Sequence, residues 1–221
     1  MLAKNSAEFG VKRFIFISTD KSVNPSSVMG ATKRVAENLI LGLPNNRTPF
    51  ISVRFGNVLG SRGSVIPIFQ EQIKKGGPIT ITDYEMKRYF MTVPEAVQLV
   101  MQAGAMGKGS DVFVLDMGDP VSVYQVAEEL IRLSGLEPDK DIPIVISGKR
   151  PGEKLFEELL TAEEGTAATL HQKIFSAKIT GKIDKKYIKK IDKLISLARE
   201  DKDNRQIFSL LKELVPTYQR S

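Results

Sequence analysis

Apolar residues along the chain fall into two alternating patterns, short unbroken runs and spacings of three and four. Arg13 to Thr19 (RFIFIST) is a run closing on small polar residues, which predicts a strand buried on both faces of a parallel sheet. Met1 to Gly10 reads as the last turns of a helix delivering the chain into it. After a turn at Asn24-Pro25, Ser27 is placed to cap a helix to about Leu41, with Val28, Ala31, Val35, Leu39 and Ile40 as its apolar side. Phe50 to Phe55 is a second apolar strand, and the loop Gly56 to Gly63 leads into a helical pattern from Ser64 to Lys75, with Pro67 tolerated in its first turn. Pro78 to Asp83 alternates like a short strand. Thr92 and Glu95 have capping-box spacing before a helix ending near Gly104. Asp111 to Met117 is a third buried-type strand, and Ser122 with Gln125 opens a helix through Leu133 that Gly135 ends. Ile142 to Ile146 reads as a strand, Arg150 to Lys154 as a loop, and two helices, 184–199 and 203–214, finish the sequence.

Strands alternating with helices predict an α/β fold with a mostly parallel sheet. Three parallel strands leave an apolar edge poorly protected. The sheet is therefore expected to continue on a side for which this sequence supplies no strand, completed by an amino-terminal half or by a homo-oligomer.

Composition narrows the chemistry. With no cysteine and one histidine, His171, among 221 residues, disulfides, thiolate nucleophiles and cysteine zinc sites are excluded. The same counts leave little room for a histidine-rich metal site or a Ser-His-Asp triad. The reacting groups must come from Asp, Glu, Lys, Ser and Thr. The formal charge of +6 is concentrated late, at Lys182, Lys185, Lys186, Lys189, Lys190 and Lys193. In the same stretch Tyr187, Ile188, Ile191, Leu194, Ile195 and Ala198 recur at helical spacing, so the lysines are read as a solvent face and no nucleic-acid partner is expected. No apolar run is long enough to cross a bilayer and no signal pattern opens the chain, so a cytoplasmic location is expected.

At Ser18 to Lys33 (STDKSVNPSSVMGATK) the chain resembles the extended short-chain dehydrogenase/reductase superfamily. Within it, the likeness is to the nucleotide-sugar 4,6-dehydratases of capsule and flagellin-glycan biosynthesis. RFGNVLGSRGSVIPIF at 54–69, PITITDYEMKRYFMTVPEA at 78–96, RPGEKLFEELL at 150–160 and LVPTYQ at 214–219 continue the likeness in order. It implies the carboxyl-terminal portion of a Rossmann-type domain, with its catalytic segment in 1–60 and a sheet that also receives 111–117. Residues 61–221 are then mainly a smaller α/β nucleotide-sugar-binding region with carboxyl-terminal helices. It also implies NAD or NADP as cofactor and a UDP-sugar, UDP-N-acetylglucosamine in most members, as substrate. In the implied cycle a hydride leaves C4, water is eliminated across C5 and C6, and the hydride returns at C6.

Elimination needs a base for the C5 proton and an acid for the departing C6 hydroxyl. By similarity Lys21 is the base and Asp20 the acid, roles that demand an aspartate able to hold its proton and a lysine able to lose one; Thr19-Asp20 alone would read as the start of a turn. Met29 and Lys33 lie one helical turn apart, where the superfamily carries a Tyr-x-x-x-Lys pair. A thioether cannot accept the C4 hydroxyl proton, so that task passes to Thr19, Lys21 or a water near Lys33; core packing is the plain alternative for Met29. The resemblance gives Lys33 the nicotinamide ribose, with Ser18, Phe55 and Gly56 beside the cofactor.

The glycines of loop 56–63, with Asp83 some distance on, imitate a dinucleotide fingerprint, but the loop comes after the STDK segment, where the family places a substrate-binding turn. The resemblance turns Asn57, Arg62 and the backbone near Ser64 and Val65 toward the substrate's diphosphate, with a helix amino terminus assisting. Arg88 and Arg150 are further diphosphate or nucleoside contacts, Glu153 a ribose contact and Thr80 a neighbour of the base. Two rivals remain: an epimerase on the same scaffold, and a non-catalytic remnant that binds nucleotide-sugar.

Overall fold

The computed structural model describes residues 1–43, 47–162, 164–178, 183–200 and 204–219; Lys182 of the basic cluster lies outside them. The chain divides into two units, the first formed by Met1–Phe55, Leu99–Asp116 and Glu158–Ser221 and the second by Gly56–Gln98 and Met117–Glu157.

The first unit is built on the predicted apolar runs. β1 (Phe14–Ile17), β2 (Phe50–Arg54) and β7 (Asp111–Leu115) pair in parallel, with Phe14 opposite Phe50 and Ile51 opposite Asp111. Two strands that the pattern does not predict, β11 (Ile174–Ala177) and β10 (Thr166–Ala168), add antiparallel, giving a five-stranded sheet in the order β1-β2-β7-β11-β10. β2 is buried throughout, whereas β1 is the edge strand and its Ile17 is 43% exposed, which corrects the expectation of burial on both faces. α1 (Leu2–Glu8) precedes β1, and α2 (Val28–Leu41) starts where predicted, the Ser27 hydroxyl accepting from the Gly30 amide at 3.1 Å.

Ala31 and Val35 on the buried face of α2 pack against Ile191 and Leu194 of α6 (Lys185–Arg199) and Leu210, Leu211 and Leu214 of α7 (Asn204–Leu214). That packing places the last two helices with the first unit, whereas the sequence resemblance groups them with 61–221. Val28 and Ala198, expected on apolar faces, are exposed.

In the second unit α3 (Val65–Lys74) and α5 (Val123–Leu133) close over β4 (Ile79–Ile81), which pairs in parallel with β9 (Ile144–Ile146). Phe69, Ile73, Ile79, Ile81, Ala127 and Ile131 form its core. Two-residue strands complete it: β3 (Asn57–Val58) with β6 (Phe90–Met91), and β5 (Lys87–Arg88) with β8 (Val121–Ser122). α4 (Val93–Met106) contributes residues to both units. Among the described residues no helix is long and apolar enough to cross a membrane.

Candidate active site

Where β1 ends, the chain turns through a single 3₁₀ turn, Asp20–Ser22, that hangs on the end of β2. The Ser18 amide donates to Val53 O at 2.8 Å and the Asp20 amide to Phe55 O at 3.1 Å. The turn thus lies at the carboxyl ends of two parallel strands, the place where open α/β sheets bind ligands. Asp20 is fully buried. Its Oδ1 accepts from Thr19 Oγ1 at 2.8 Å and from Lys21 Nζ at 2.9 Å, while its Oδ2 is buried with no hydrogen-bond partner among the described residues. A buried polar atom without a partner costs free energy, so this oxygen is the atom of the turn with most to gain from a bound hydroxyl. Lys21 keeps 28% of its side chain exposed. The Ser22 hydroxyl donates to Thr19 O at 2.7 Å and the Ser18 hydroxyl to Ser22 Oγ at 3.4 Å, closing the turn on itself.

α2 brings the next two candidates. Lys33 Nζ donates to Ile17 O at 3.1 Å and lies 4.9 Å from the centre of the Phe16 ring, at the end of β1. Met29, one turn earlier, is 48% exposed, so core packing does not account for it. Both positions are set by the approach of α2 to the turn, where Gly30 faces Lys21 and Pro25.

Beneath α2 is a charge network that the sequence pattern does not reveal. Arg54 and Glu37 are both fully buried, the Arg54 Nε donating to Glu37 Oε1 and Oε2 at 3.1 and 2.9 Å, and Glu37 also accepts from Ser52 Oγ at 3.0 Å. Arg54 Nη1 and Nη2 reach Glu164 at 2.7 and 3.0 Å, and Arg34 bridges Glu37 and Glu164 at 3.1 and 2.6 Å. Burial pushes the Glu37 carboxyl up, but the hydrogen bonds and charge of Arg54, and then the charge of Arg34, override it and hold Glu37 below its ordinary range. The same balance, burial opposed by Arg54 and Arg34, holds Glu164 down at about 2. The network ties α2, β2 and the loop before β10 into one piece. Its one sequence signal is an arginine inside the otherwise uncharged run of β2.

In the second unit a cavity of about 240 Å³ gathers six of the predicted substrate residues: Asn57, Val65, Thr80, Arg88, Arg150 and Glu153. Whole small-molecule sites usually span about 300–1,000 Å³, so this one suits part of a larger ligand. Phe69, Ile81 and Met86 give it an apolar floor, and Ser147 adds a hydroxyl. Thr80 is oriented by Gln72, whose Nε2 donates to Thr80 Oγ1 at 2.7 Å and whose Oε1 accepts from the Thr80 amide at 3.1 Å.

The two arginines differ in kind. Arg88 is buried, and its Nη1 donates to Lys87 O at 2.8 Å and Leu155 O at 2.9 Å, its Nη2 to Lys154 O at 2.8 Å. Its guanidinium fastens loop 150–155 to β5, with Glu153 at 3.7 Å, rather than standing ready as a two-pronged phosphate clamp. Arg150 is exposed at the cavity, its amide held by Glu153 Oε2 at 3.2 Å. Arg62 is exposed and off the lining, although its neighbour Gly63 is part of it. Ser64 precedes α3, and its Oγ is buried with no partner among the described residues, beside a helix amino terminus that offers free amides. Phe55 holds the Asp20 amide through its carbonyl, and the Gly56 amide donates to Met117 Sδ at 3.5 Å. Asp83 accepts from the Glu85 amide at 2.9 Å in a local turn, and His171 Nδ1 accepts from the Lys173 amide at 3.1 Å.

Comparison with known proteins gives this geometry its setting. The chain is 57% identical over 180 residues to the capsular polysaccharide biosynthesis protein CapD of Staphylococcus aureus, covering 80% of this chain and 30% of that protein. A UDP-glucose 4-epimerase of Rickettsia massiliae is 37% identical over 158 residues, 70% of this chain and 45% of its own length. The X-ray structure of Pen from Bacillus thuringiensis superposes with a TM-score of 0.72 at 37% identity, over 79% of this chain and 55% of that one. This chain therefore spans less than half the length of either sequence relative. The family profile described as polysaccharide biosynthesis protein matches residues 1–179, and the chain belongs to that family.

Proposed function

We propose that the chain is a segment of a nucleotide-sugar 4,6-dehydratase that converts UDP-N-acetylglucosamine to a UDP-4-keto-6-deoxy sugar. The observation that carries this reading is the Asp20–Lys21 pair: a buried carboxylate with one oxygen held by Thr19 and Lys21 and the other without a partner among the described residues.

An NAD or NADP nicotinamide, when bound, takes the C4 hydride and gives it back at C6. Ser18, Lys33, Phe55 and Gly56 are the residues that would hold it, and the position of the turn at the carboxyl ends of β1 and β2 fits such a group. Once C4 is a ketone, the C5 proton is acidic, and the Lys21 amine removes it. Asp20 protonates the C6 hydroxyl, which leaves as water. Lys21 returns a proton to C5 when the hydride arrives at C6. Thr19, whose hydroxyl donates to Asp20 Oδ1, takes the C4 hydroxyl proton that Met29 cannot accept and passes its own to Asp20. That proton later leaves with the C6 hydroxyl as water, so Lys21 enters the cycle as a free amine and ends it as one. Within the second unit's cavity, Arg150 and the amides at the start of α3 are the proposed diphosphate contacts, and Thr80 and Glu153 the proposed nucleoside contacts.

Epimerisation is the second reading, favoured by the UDP-glucose 4-epimerase relative. A simple C4 inversion has no use for an acid–base pair directed at C5 and C6. The test is incubation with UDP-N-acetylglucosamine and NAD, then proton NMR, with Lys21→Ala in parallel. A 4-keto-6-deoxy product that disappears in the variant supports the dehydratase. A C4 epimer would replace it with the epimerase reading. UDP binding without any product would leave a nucleotide-sugar-binding remnant.

A further inference from the structure

The matched family profile ends at residue 179, yet α6, α7 and the segment 215–219 pack against the helix that carries Met29 and Lys33. Tyr218 is 2% exposed in the core shared by α2, α6 and α7. Its amide donates to Val215 O at 2.9 Å, and Lys212 Nζ donates to its carbonyl. The next residue reaches further: the Gln219 amide donates to Pro25 O at 3.0 Å. Pro25 is buried beside Gly30, its Cβ 3.1 Å from where a β-carbon on Gly30 would lie, and so links the 215–219 segment to the place where α2 meets the turn. On its other side Asn24 is held in a left-handed conformation, φ 41°, its Nδ2 donating to Glu158 at 2.5 Å.

The turn is short. Within it the Ser22 amide donates to Thr19 O at 3.1 Å, the Val23 amide to Asp20 O at 3.0 Å, the Lys21 amide to Thr19 Oγ1 at 3.4 Å and the Ser22 hydroxyl to Thr19 O at 2.7 Å. A turn of three residues bonds to its own backbone but takes its place in the fold from what grips its ends. We infer that residues 215–219 are a positioning element for the acid–base turn, with Tyr218 as the anchor and the Gln219 amide as the contact that fixes Pro25. The mechanical link stands on the hydrogen bonds alone; its effect on rate rests on the proposed roles of Asp20 and Lys21.

The test compares the full chain with Gln219→Pro, which deletes the donating amide, and Tyr218→Ala, which removes the anchor. Hydrogen exchange is measured at the Ser22 and Val23 amides and, as reference, at Val114 and Leu115 in β7. Loss of one hydrogen bond is expected to raise exchange at Ser22 and Val23 about tenfold in Gln219→Pro and leave β7 unchanged. Unchanged protection at Ser22 and Val23 would overturn the inference, as would an equal rise across the whole first unit, which marks ordinary core packing. If Tyr218→Ala unfolds, Gln219→Pro decides alone. In turnover, Gln219→Pro is expected to lower kcat and leave KM for UDP-N-acetylglucosamine unchanged. Should Lys21→Ala fail to lower product, the reaction scheme falls while the exchange data still judge the link.

Discussion

Gly30 stands so close to Lys21 that a β-carbon on it would lie 2.1 Å from the Lys21 carbonyl oxygen. The neighbour is backbone, which cannot swing aside as a flexible side chain would, so α2 and the acid–base turn are in register only because residue 30 has no side chain. Gly30→Ala is expected to separate them, costing about 1–3 kcal/mol of stability as overpacking does. A misplacement near 1 Å is also expected to lower turnover about 100-fold. Urea denaturation and product formation check the two effects, and wild-type values in both would show that the approach of helix to turn is not tight.

Asp20→Asn keeps the shape of the side chain and removes the proposed acid. General acid–base contributions predict a fall in kcat of about 10²–10⁴. UDP affinity, which the proposed function assigns to the cavity of the second unit, is expected to stay at the wild-type value by titration calorimetry. A parallel loss of UDP binding would mean that the substitution disturbs more than chemistry.

Arg54→Ala leaves Glu37 and Glu164 buried without their main partner. Breaking a buried ionic cluster from one side costs about 3–5 kcal/mol, which chemical denaturation would detect as a lowered midpoint. A loss below about 1 kcal/mol, typical of surface pairs, would contradict the burial of this cluster.

The same cluster sets a pH dependence. Both carboxyls are held below their unfolded value near 4.5, Glu164 at about 2. Depressed carboxyls stabilise the fold above the unfolded value, and this contribution is lost as pH falls through the folded value. Unfolding free energy is therefore expected to decline between about pH 5 and pH 2. Glu164→Gln should flatten that decline, and an unchanged slope would locate the acid sensitivity elsewhere.

Arg88→Ala and Arg150→Ala should separate by kind. Removing Arg88 strips donors from the carbonyls of Lys154 and Leu155. Loop 150–155 should become sensitive to limited proteolysis, and UDP affinity should fall about tenfold or more as the cavity wall loosens. Removing the exposed Arg150 should weaken UDP binding about tenfold with no change in proteolysis, the signature of a lost charge-assisted contact. Identical behaviour of the two would undo the distinction.

Much of the frame is legible in the sequence because its signals are local. RFIFIST and FISVRF announce strands by unbroken apolar character, and Ser27, Ser122 and Asp184 cap the helices they precede. β10 is silent because Thr166-Ala167-Ala168 has no apolar run and is a strand only through pairing with β11. Arg54 is visible as an oddity in β2, but its partner Glu164 is not, lying 110 residues later in the chain. Six cavity residues are legible only through likeness to a family. Arg88 among them reads as a phosphate contact because a guanidinium binds carbonyl and phosphate oxygens by the same donors, and only the fold says which is present.

The two margins of the five-stranded sheet are unequal. β10 is three residues long and pairs antiparallel, so it makes a poor template. β1 runs parallel to its neighbour, is apolar along its length, and turns a row of backbone donors and acceptors outward as edge strands do. Growth of this sheet is therefore directional: a further strand would add to β1, the longer and more apolar margin, beside the strand from whose end the Asp20–Ser22 turn emerges.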